Sequence, residues 1–180
     1  LSMESEEKRQ PNDIAKASNK THMLIVTDKL YPTVYNYASV FADKEEVNGQ
    51  KLYSRVELTL IEKGGSKNYV KFYLEVDQCD YLYLLSKDCQ DVRYESFKEG
   101  KITKVKRKLT VNRNTYMKGE ETSYPWYIAI NNDGNQMFIN LTDEDFFSLM
   151  SRIHRWINLV ANNYAGYLMK KKFDFEHGNQ

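Results

Sequence analysis

The strongest constraint on the fold of this chain is a two-residue alternation of apolar and polar side chains. Two neighbouring segments, Leu52–Glu62 and Tyr69–Val76, both show it. Their apolar positions, which would share one side of a sheet, are Val56, Leu58, Leu60, Val70, Phe72, Leu74 and Val76. The segment Lys63–Ser66 between them contains Gly64 and Gly65, and adjacent glycines supply the positive φ angles that tight hairpin turns need. The pattern predicts two antiparallel strands with one face buried in a core.

Two helices are expected, one after each set of strands. The shorter one covers Asp77–Lys87. The longer one begins after Thr142, a residue type that caps helix N-termini, and runs to about Lys170–Lys172. Its apolar side chains recur at steps of three and four residues, which is typical of a helix that faces a core. These positions are Phe146, Met150, Ile153, Ile157, Val160, Tyr164 and Leu168, and Leu149 and Trp156 widen the stripe.

The other predicted strands complete two similar halves. They are Thr33–Phe41 in the first half, and Val92–Phe97, Lys101–Asn112, Tyr124–Asn131 and Met137–Leu141 in the second. The junction Val76–Ser86 also matches Leu141–Ser151 at an offset of 65 residues. The sequence therefore predicts an α+β protein in which a unit of antiparallel sheet followed by a helix occurs twice.

Domain boundaries follow from the same segments. Residues 1–22 are polar and charged without periodicity, so we expect them to be disordered. Residues 23–175 would form a single domain, with half-repeats at about 33–88 and 92–172.

Composition argues against several classes of protein. The chain has no apolar run of about 18 residues or more, so no membrane-spanning helix is expected. Cys79 and Cys89 are the only cysteines, and the three histidines are scattered, which fits neither a disulfide scaffold nor a standard zinc site. The N-terminus lacks the apolar segment of a secretory signal. We therefore expect a reducing, cytoplasmic location and neither a metal nor a cofactor.

The positive charge of the chain is concentrated in one segment, although the net charge is only +1. Between Lys98 and Lys118 lie eight basic residues and one acidic residue. Three of the basic residues, Lys104, Lys106 and Lys108, alternate along the long predicted strand of the second half. Lysines in such a row project on one side of a sheet and can follow a phosphate backbone.

Tyrosines on the outward faces of the predicted strands supply flat rings beside this charge. Stacking of a base on an aromatic ring contributes about 1–3 kcal/mol and does not depend on sequence. A duplex hides its base faces, so such a surface suits single strands better. The candidate residues are Tyr53, Tyr73 and Tyr127 for stacking, and Lys101, Lys104, Lys106 and Lys108 for phosphate contacts, with Arg55 and Lys71 in support.

Other interpretations of the same residues stay open. A lysine-rich strand also discourages edge-to-edge aggregation, and tyrosine is a common strand former. The same face would suit RNA, and a basic sheet would also suit a protein-interaction module that docks an acidic partner. No catalytic residue is assigned and an enzyme is not expected, because the acids Asp143–Asp145 suit a helix N-terminus and Gly64–Lys67 lacks the spacing of a phosphate loop.

The order of these elements resembles the Whirly family of single-stranded DNA-binding proteins. The resemblance runs from Glu95–Val105 through Trp126–Asn132 to Phe138–Phe146. In these segments an aromatic residue and a Gly-Lys turn lead into a basic strand, and a strand ending in Asn-Asn leads through a hairpin into a capped helix. Val70–Ser86 resembles the corresponding part of the first half of the family, so the resemblance covers about residues 33–172.

The resemblance implies both an architecture and a function. Each half would form a four-stranded antiparallel sheet backed by a helix, and the halves would pack with pseudo-twofold symmetry. Oligomers, commonly tetramers, would assemble through the helices, the C-terminal helix above all, and single strands would lie between neighbouring sheets. The expected function is non-catalytic binding of single-stranded DNA with little sequence preference.

Overall fold

A computed structural model of the chain describes residues 13–31, 41, 43–65, 68–115 and 124–178. In these residues a set of strands is followed by a helix, and this order occurs twice. The first half contains β1 (Asp13–Ser18), β2 (His22–Lys29), β3 (Asp43–Val47), β4 (Gln50–Tyr53), β5 (Arg55–Glu62), β6 (Tyr69–Leu74) and α1 (Val76–Leu85). The second half contains β7 (Val92–Glu99), β8 (Lys106–Arg113), β9 (Trp126–Asn132), β10 (Asn135–Leu141) and α2 (Asp143–His177).

The first sheet has the strand order β1-β2-β5-β6, and all its neighbouring strands are antiparallel. Leu24, Leu60 and Val70 are partners across three of these strands, and all three are buried. The alternation along β5 and β6 therefore buries the face that the sequence predicts. The hairpin β3-β4 lies between β2 and β5 in the chain and forms a separate two-stranded sheet.

The second sheet is an antiparallel meander with the strand order β10-β9-β8-β7. Val111, Ile128 and Ile139 are partners across its strands and are buried. The turn between β9 and β10 consists of Asp133 and Gly134, both of which have positive φ. Asp-Gly is a favoured pair for such a two-residue hairpin.

The buried apolar side chains of both sheets and of α2 form one continuous core. The stripe of α2 is buried as predicted at Phe146, Met150, Ile153 and Ile157. Full burial of a side chain of this kind contributes about 1.5–3 kcal/mol. One side of the second sheet contributes to this core, and its opposite side carries the other half of the alternation.

The start of α2 is fixed to the second sheet by Asp143. Its carboxylate accepts hydrogen bonds from Arg113 Nε at 2.8 Å, Arg113 Nη2 at 3.0 Å and Trp126 Nε1 at 2.8 Å. The hydrogen bonds from Arg113 lower the pKa of Asp143. Thr142 caps the helix as predicted, because its Oγ1 accepts from the backbone N–H of Asp145 at 3.0 Å.

The predicted strand Leu52–Glu62 is broken at Ser54, so this prediction is wrong at its start. Ser54 Oγ accepts from the backbone N–H of Tyr31 at 2.9 Å and donates to the Tyr31 carbonyl at 2.7 Å. This pair of hydrogen bonds occupies the backbone of Tyr31 where a strand would continue. Tyr53 therefore belongs to the hairpin β3-β4 and not to the first sheet.

The predicted strand Lys101–Asn112 begins five residues later, at Lys106. The residues before it form a turn in which the backbone N–H of Lys104 donates to the Gly100 carbonyl at 2.9 Å. Lys104 has a positive φ of 58°. Lys101 and Lys104 thus lie in a turn, and the predicted row of three alternating lysines is wrong because only Lys106 and Lys108 lie in the strand.

The N-terminal prediction also differs from the structure. Within the segment 1–22, which was expected to be disordered, Asp13–Ser18 forms an edge strand and His22 begins β2. Ala15 and Ala17 of this strand are buried in the core. The predicted strand Thr33–Phe41 lies outside the described residues except for Phe41, which is buried.

Candidate nucleic-acid interface

The side of the second sheet that faces away from the core carries both aromatic and basic side chains, and we call it the open face. Its five members of interest are Phe97, Lys106, Lys108, Tyr127 and Phe138. The ring of Phe97 is 70% exposed and that of Phe138 is 47% exposed. Phe97 lies on one edge strand of the sheet and Phe138 on the other, with the two lysines and Tyr127 on the strands between them.

The lysines of the open face stand next to carboxylates of β7. Lys108 Nζ lies 5.1 Å from the centre of the Phe97 ring and 3.2 Å from Glu95 Oε1. Lys106 is the cross-strand partner of Glu99. These carboxylates partly neutralise the lysines, so a phosphate that binds here competes with them.

The aromatic side chains continue across β9 and β10 to the first sheet. The rings of Tyr127 and Phe138 are tilted, with their centres 5.4 Å apart. His22, at the start of β2, stacks on Phe138 with a centre-to-centre distance of 6.4 Å. Ala129, the cross-strand partner of Phe138, is small and buried, so no bulky side chain rises from the middle of the open face.

A second group, the junction cluster, forms where the turn after β7 meets the start of β5. Its members are Tyr53, Arg55, Glu75, Lys98 and Lys101. Arg55 Cζ and Lys101 Nζ lie 5.4 Å and 5.3 Å from the centre of the Tyr53 ring. Glu75 Oε1 lies 3.7 Å from Arg55 Nη2 and 3.5 Å from Lys98 Nζ. Glu75 thus bridges Arg55 and Lys98, and burial lowers the pKa of Lys98.

On the outer side of the first sheet, the positive charge of Lys71 is balanced by a neighbouring carboxylate. Lys71 Nζ lies 2.9 Å from Oε1 of Glu57, whose residue is only 6% exposed. Burial, with the nearby charge of Glu57 as the next cause, raises the pKa of Tyr73. The guanidinium of Arg107 lies 5.3 Å from the centre of the Tyr73 ring. Lys71 is therefore paired with Glu57 within the protein. The alternation predicted instead that its side chain projects freely outward.

A known protein is similar to this chain in structure, although no match was found in sequence. No family model matches the sequence, and no curated protein matches it. The structure is similar to the crystal structure of WHY1 from Arabidopsis thaliana, with a TM-score of 0.56 and 17% sequence identity over 92% of this chain and 94% of that chain. The chain has the Whirly fold. The prediction of two four-stranded antiparallel sheets, each followed by a helix, is thereby confirmed.

Within the Whirly fold, the predicted site residues occupy four different places. The open face holds Lys106, Lys108 and Tyr127, the junction cluster holds Tyr53, Arg55 and Lys101, the first sheet holds Lys71 and Tyr73, and Lys104 lies apart in the turn after β7. The sequence-based candidates therefore form three separate groups of basic and aromatic residues, with Lys104 apart from them, and not one continuous row.

Two aromatic residues of the open face, Phe97 and Phe138, were missed. The signal for Phe97 was present, because it follows Arg93 and Glu95 on the polar side of an alternating strand. Phe138 stands between two apolar neighbours, Met137 and Ile139, and this continuous run hides which of the three side chains points outward.

The described ranges hold neither a cluster of metal ligands nor a membrane-spanning helix. No three or more His, Cys, Asp or Glu side chains are grouped there so as to hold a metal ion. Neither of the two helices has the length and apolar composition that crossing a membrane requires.

Proposed function

We propose that this chain binds single-stranded DNA, without catalysis and with little sequence preference, through the open face of the second sheet. The observation that carries the proposal is the exposure of Phe97 and Phe138 beside Tyr127 and two lysines on one uncovered face. Each ring offers about 1–3 kcal/mol of stacking to an unpaired base. Lys106 and Lys108 supply charge to the phosphates between the stacked bases.

The junction cluster supplies a second point of attachment for the backbone. Lys101 Nζ lies 5.3 Å from the centre of the Tyr53 ring, so a cation and an aromatic ring stand together there as well. Lys101 lies on the exposed side of the cluster, and Lys104 is exposed in the same turn. A strand that leaves the open face near β8 would meet these side chains next, with Tyr53 held in place by Arg55 and Lys101.

The resemblance of the sequence to the Whirly family supports the same function, and it also implies self-association. Helix α2 exposes several large apolar side chains that its own sheet does not cover, namely Phe147, Leu159, Tyr164, Met169 and Phe173. We propose that α2 associates with α2 of further copies, and light scattering of wild type and of Leu159→Glu tests this. A monomeric wild-type protein would overturn the assembly without affecting the open face.

A non-catalytic role agrees with the chemistry of Cys79, the buried one of the two cysteines. Burial raises the pKa of the Cys79 thiol, which keeps it protonated at neutral pH. Cys79 and Cys89 are both free thiols, as suits the reducing compartment that we propose.

RNA is the alternative ligand for the same face, since stacking and phosphate contacts do not distinguish the sugars. Side-by-side titrations with DNA and RNA oligomers of one sequence separate the two. A protein-interaction module that docks an acidic partner is the other alternative, and it predicts no affinity for either oligomer at physiological salt.

Removal of the two lysines of the open face tests the proposal against a matched control. The test variant is Lys106→Ala/Lys108→Ala. The control is Lys87→Ala/Lys171→Ala, which removes the same charge from two lysines outside the open face, 4.2 Å and 5.6 Å from the centres of tyrosine rings. We expect the test variant alone to bind oligo-dT more weakly, with a salt dependence reduced by about 1.4 in log–log slope. Equal affinities of the two variants would show that the assigned surface is wrong.

A further inference from the structure

Arg107, near the start of β8, has a half-buried side chain that stands where the two sheets meet. Its guanidinium lies 5.3 Å from the centre of the Tyr73 ring on β6, the edge strand of the first sheet. Among the described residues, none forms an ion pair or a hydrogen bond with Arg107, and its Nε is buried. A buried polar nitrogen without a hydrogen bond costs free energy. An arginine in this state favours an anion from outside the chain.

A second cation, Lys98, lies directly across the β7–β8 ladder from Arg107. Its Nζ is also buried without a hydrogen bond, and the ion pair that it forms with Glu75 Oε1 is 3.5 Å long. Burial is the largest cause that lowers the pKa of Lys98, and the charge of Arg55 lowers it further, although Glu75 opposes both. Like charges directly opposite each other are destabilising. An anion beside Arg107 would relieve this repulsion.

The two Nη groups of Arg107 remain reachable beside the turn after β7, because Nε is the one nitrogen of this side chain that is buried without a partner. A Cβ built on Gly100 would lie 3.6 Å from Nη1, so the guanidinium borders the turn. The turn is closed by hydrogen bonds of 2.9 Å from the backbone N–H of Gly100 to the Val105 carbonyl and from that of Lys104 to the Gly100 carbonyl. Lys101 and Lys104 are exposed in this turn. Two further cations therefore belong to the segment that borders Arg107.

We propose that the Arg107 site, formed by Arg107, Lys98, Lys101 and Lys104, binds a terminal phosphate of a single strand. The inference rests on the proposed function, because the strand is the one bound on the open face. A guanidinium pairs side by side with two oxygens of a phosphate. A terminal phosphate has three free oxygens and a charge of about −1.5 to −2. A phosphate within the backbone has one free oxygen fewer and a smaller charge, so the terminal group alone leaves a free oxygen for the lysines of the turn.

The position of Arg107 in the sheet also favours the end of a strand over its middle. Arg107 and Lys108 are consecutive in β8, so their side chains lie on opposite faces, and Lys108 belongs to the open face. On β9, Asn132 is the cross-strand partner of Arg107, and its side chain joins the two sheets through hydrogen bonds of 2.8 Å with the backbone N–H and carbonyl of Lys71. A strand that continued past Arg107 would meet this connection. The end of a strand needs only to bend once around the turn after β7.

Oligomers that differ only at their ends test the site without changing the protein. Anisotropy competition against one labelled oligo-dT compares unlabelled oligo-dT that carries hydroxyl groups at both ends, a 5′-phosphate or a 3′-phosphate. We expect one of the two terminal phosphates to tighten binding about tenfold, the effect of a charge-assisted hydrogen bond. The end that does so also fixes the polarity of the strand on the open face. At equal ionic strength, inorganic phosphate should reduce this gain and leave binding of the hydroxyl-terminated oligomer unchanged.

Variants then test Arg107 itself. Arg107→Met should lose the gain from the terminal phosphate while its affinity for the hydroxyl-terminated oligomer stays within about twofold of wild type, because separate sites contribute independently. Arg107→Lys, which keeps the charge but not the fork of donors, should retain only part of the gain. The control Arg155→Met, at an exposed position of α2, should keep all of it.

Three results would overturn the site. Equal binding of the three oligomers by the wild type would do so and would leave the proposed function intact. A gain of the same size in Arg107→Met and Arg155→Met would show that the terminal phosphate binds elsewhere. Failure to bind any oligomer would overturn the proposed function and, with it, the strand end as the ligand of Arg107.

Discussion

Lys108 lies directly across the β7–β8 ladder from Phe97, with its Nζ 5.1 Å from the centre of the phenyl ring. The same Nζ is 3.2 Å from the carboxylate of Glu95. One ammonium group thus touches a ring on which a base can stack and an acid that competes with phosphate. Substitution of Glu95 in β7 would therefore change the net charge around Lys108.

Removal of the competing acid should strengthen binding. We expect Glu95→Gln to increase affinity for oligo-dT about two- to threefold, because an exposed ion pair contributes about 0.2–1 kcal/mol and would no longer have to be broken. Titrations by anisotropy measure the effect. Glu176→Gln, which removes the acid of another exposed pair 3.9 Å from Lys172, should leave affinity unchanged. Weaker binding by Glu95→Gln would mean that Lys108 needs its acid for positioning and does not contact phosphate.

The exposed rings should contribute to affinity without contributing to stability. Phe97→Ala and Phe138→Ala should each weaken binding of a single strand by about 1–3 kcal/mol, the value of one stacked base. Their melting temperatures should stay close to wild type, because both rings lie outside the core. Phe175→Ala removes a ring that is 90% exposed on α2 and serves as the control. Unchanged affinity in both open-face variants would exclude stacking at these rings.

Lys71 should behave in the opposite way. Lys71→Met leaves the buried Glu57 carboxylate without its cation, which should lower the free energy of unfolding by about 1–3 kcal/mol. Urea denaturation measures this, and Lys106→Met, at an exposed position, should cost much less. If Lys71→Met instead weakens oligonucleotide binding and leaves stability unchanged, Lys71 is a phosphate contact as its strand position predicted.

The difference between Lys71 and Lys108 shows what alternation can and cannot predict. Alternation identified the apolar faces of β5 and β6 that the core buries, because the apolar side chains within each strand mark that face. It did not show that Lys71 meets Glu57, since that contact depends on the register between β5 and β6. Alternation also failed to place Lys104 in a turn. The turn after Gly100 is closed by backbone hydrogen bonds and by the positive φ of Lys104, and a pattern of side chains predicts neither.

The edge strand β1 was missed for a related reason. Its two core side chains, Ala15 and Ala17, are small, and its polar neighbours outweigh them in any window of sequence. The helices were easier, because the stripe of α2 and its Thr142 cap are local features. The predicted bounds of the first helix lie within two residues of the observed Val76–Leu85, whereas α2 continues at least five residues beyond its predicted end, to His177.

The pH dependence of stability should report on Asp143. The hydrogen bonds from Arg113 lower its pKa in the folded state, so its contribution is complete above the ordinary carboxyl pKa of about 4 and disappears as the pH falls through the lower folded-state value. Asp143→Asn should therefore lower the free energy of unfolding at neutral pH. Below about pH 4 its stability should fall less steeply than that of the wild type. Thermal unfolding between acid and neutral pH measures this, with Asp174→Asn near the end of α2 as the control. If wild type and Asp143→Asn lost stability equally at acid pH, Arg113 would not stabilise the charged carboxylate of Asp143.

We propose above all that the open face binds unpaired polynucleotide. The most direct measurement is an anisotropy titration of labelled oligo-dT, and of the same strand annealed to its complement, at several salt concentrations. The proposal predicts tight binding of the single strand, much weaker binding of the duplex, and affinity that falls with salt at a log–log slope of about −0.7 per phosphate contact. Equal affinity for the two forms, or no binding of the single strand at physiological salt, would contradict it.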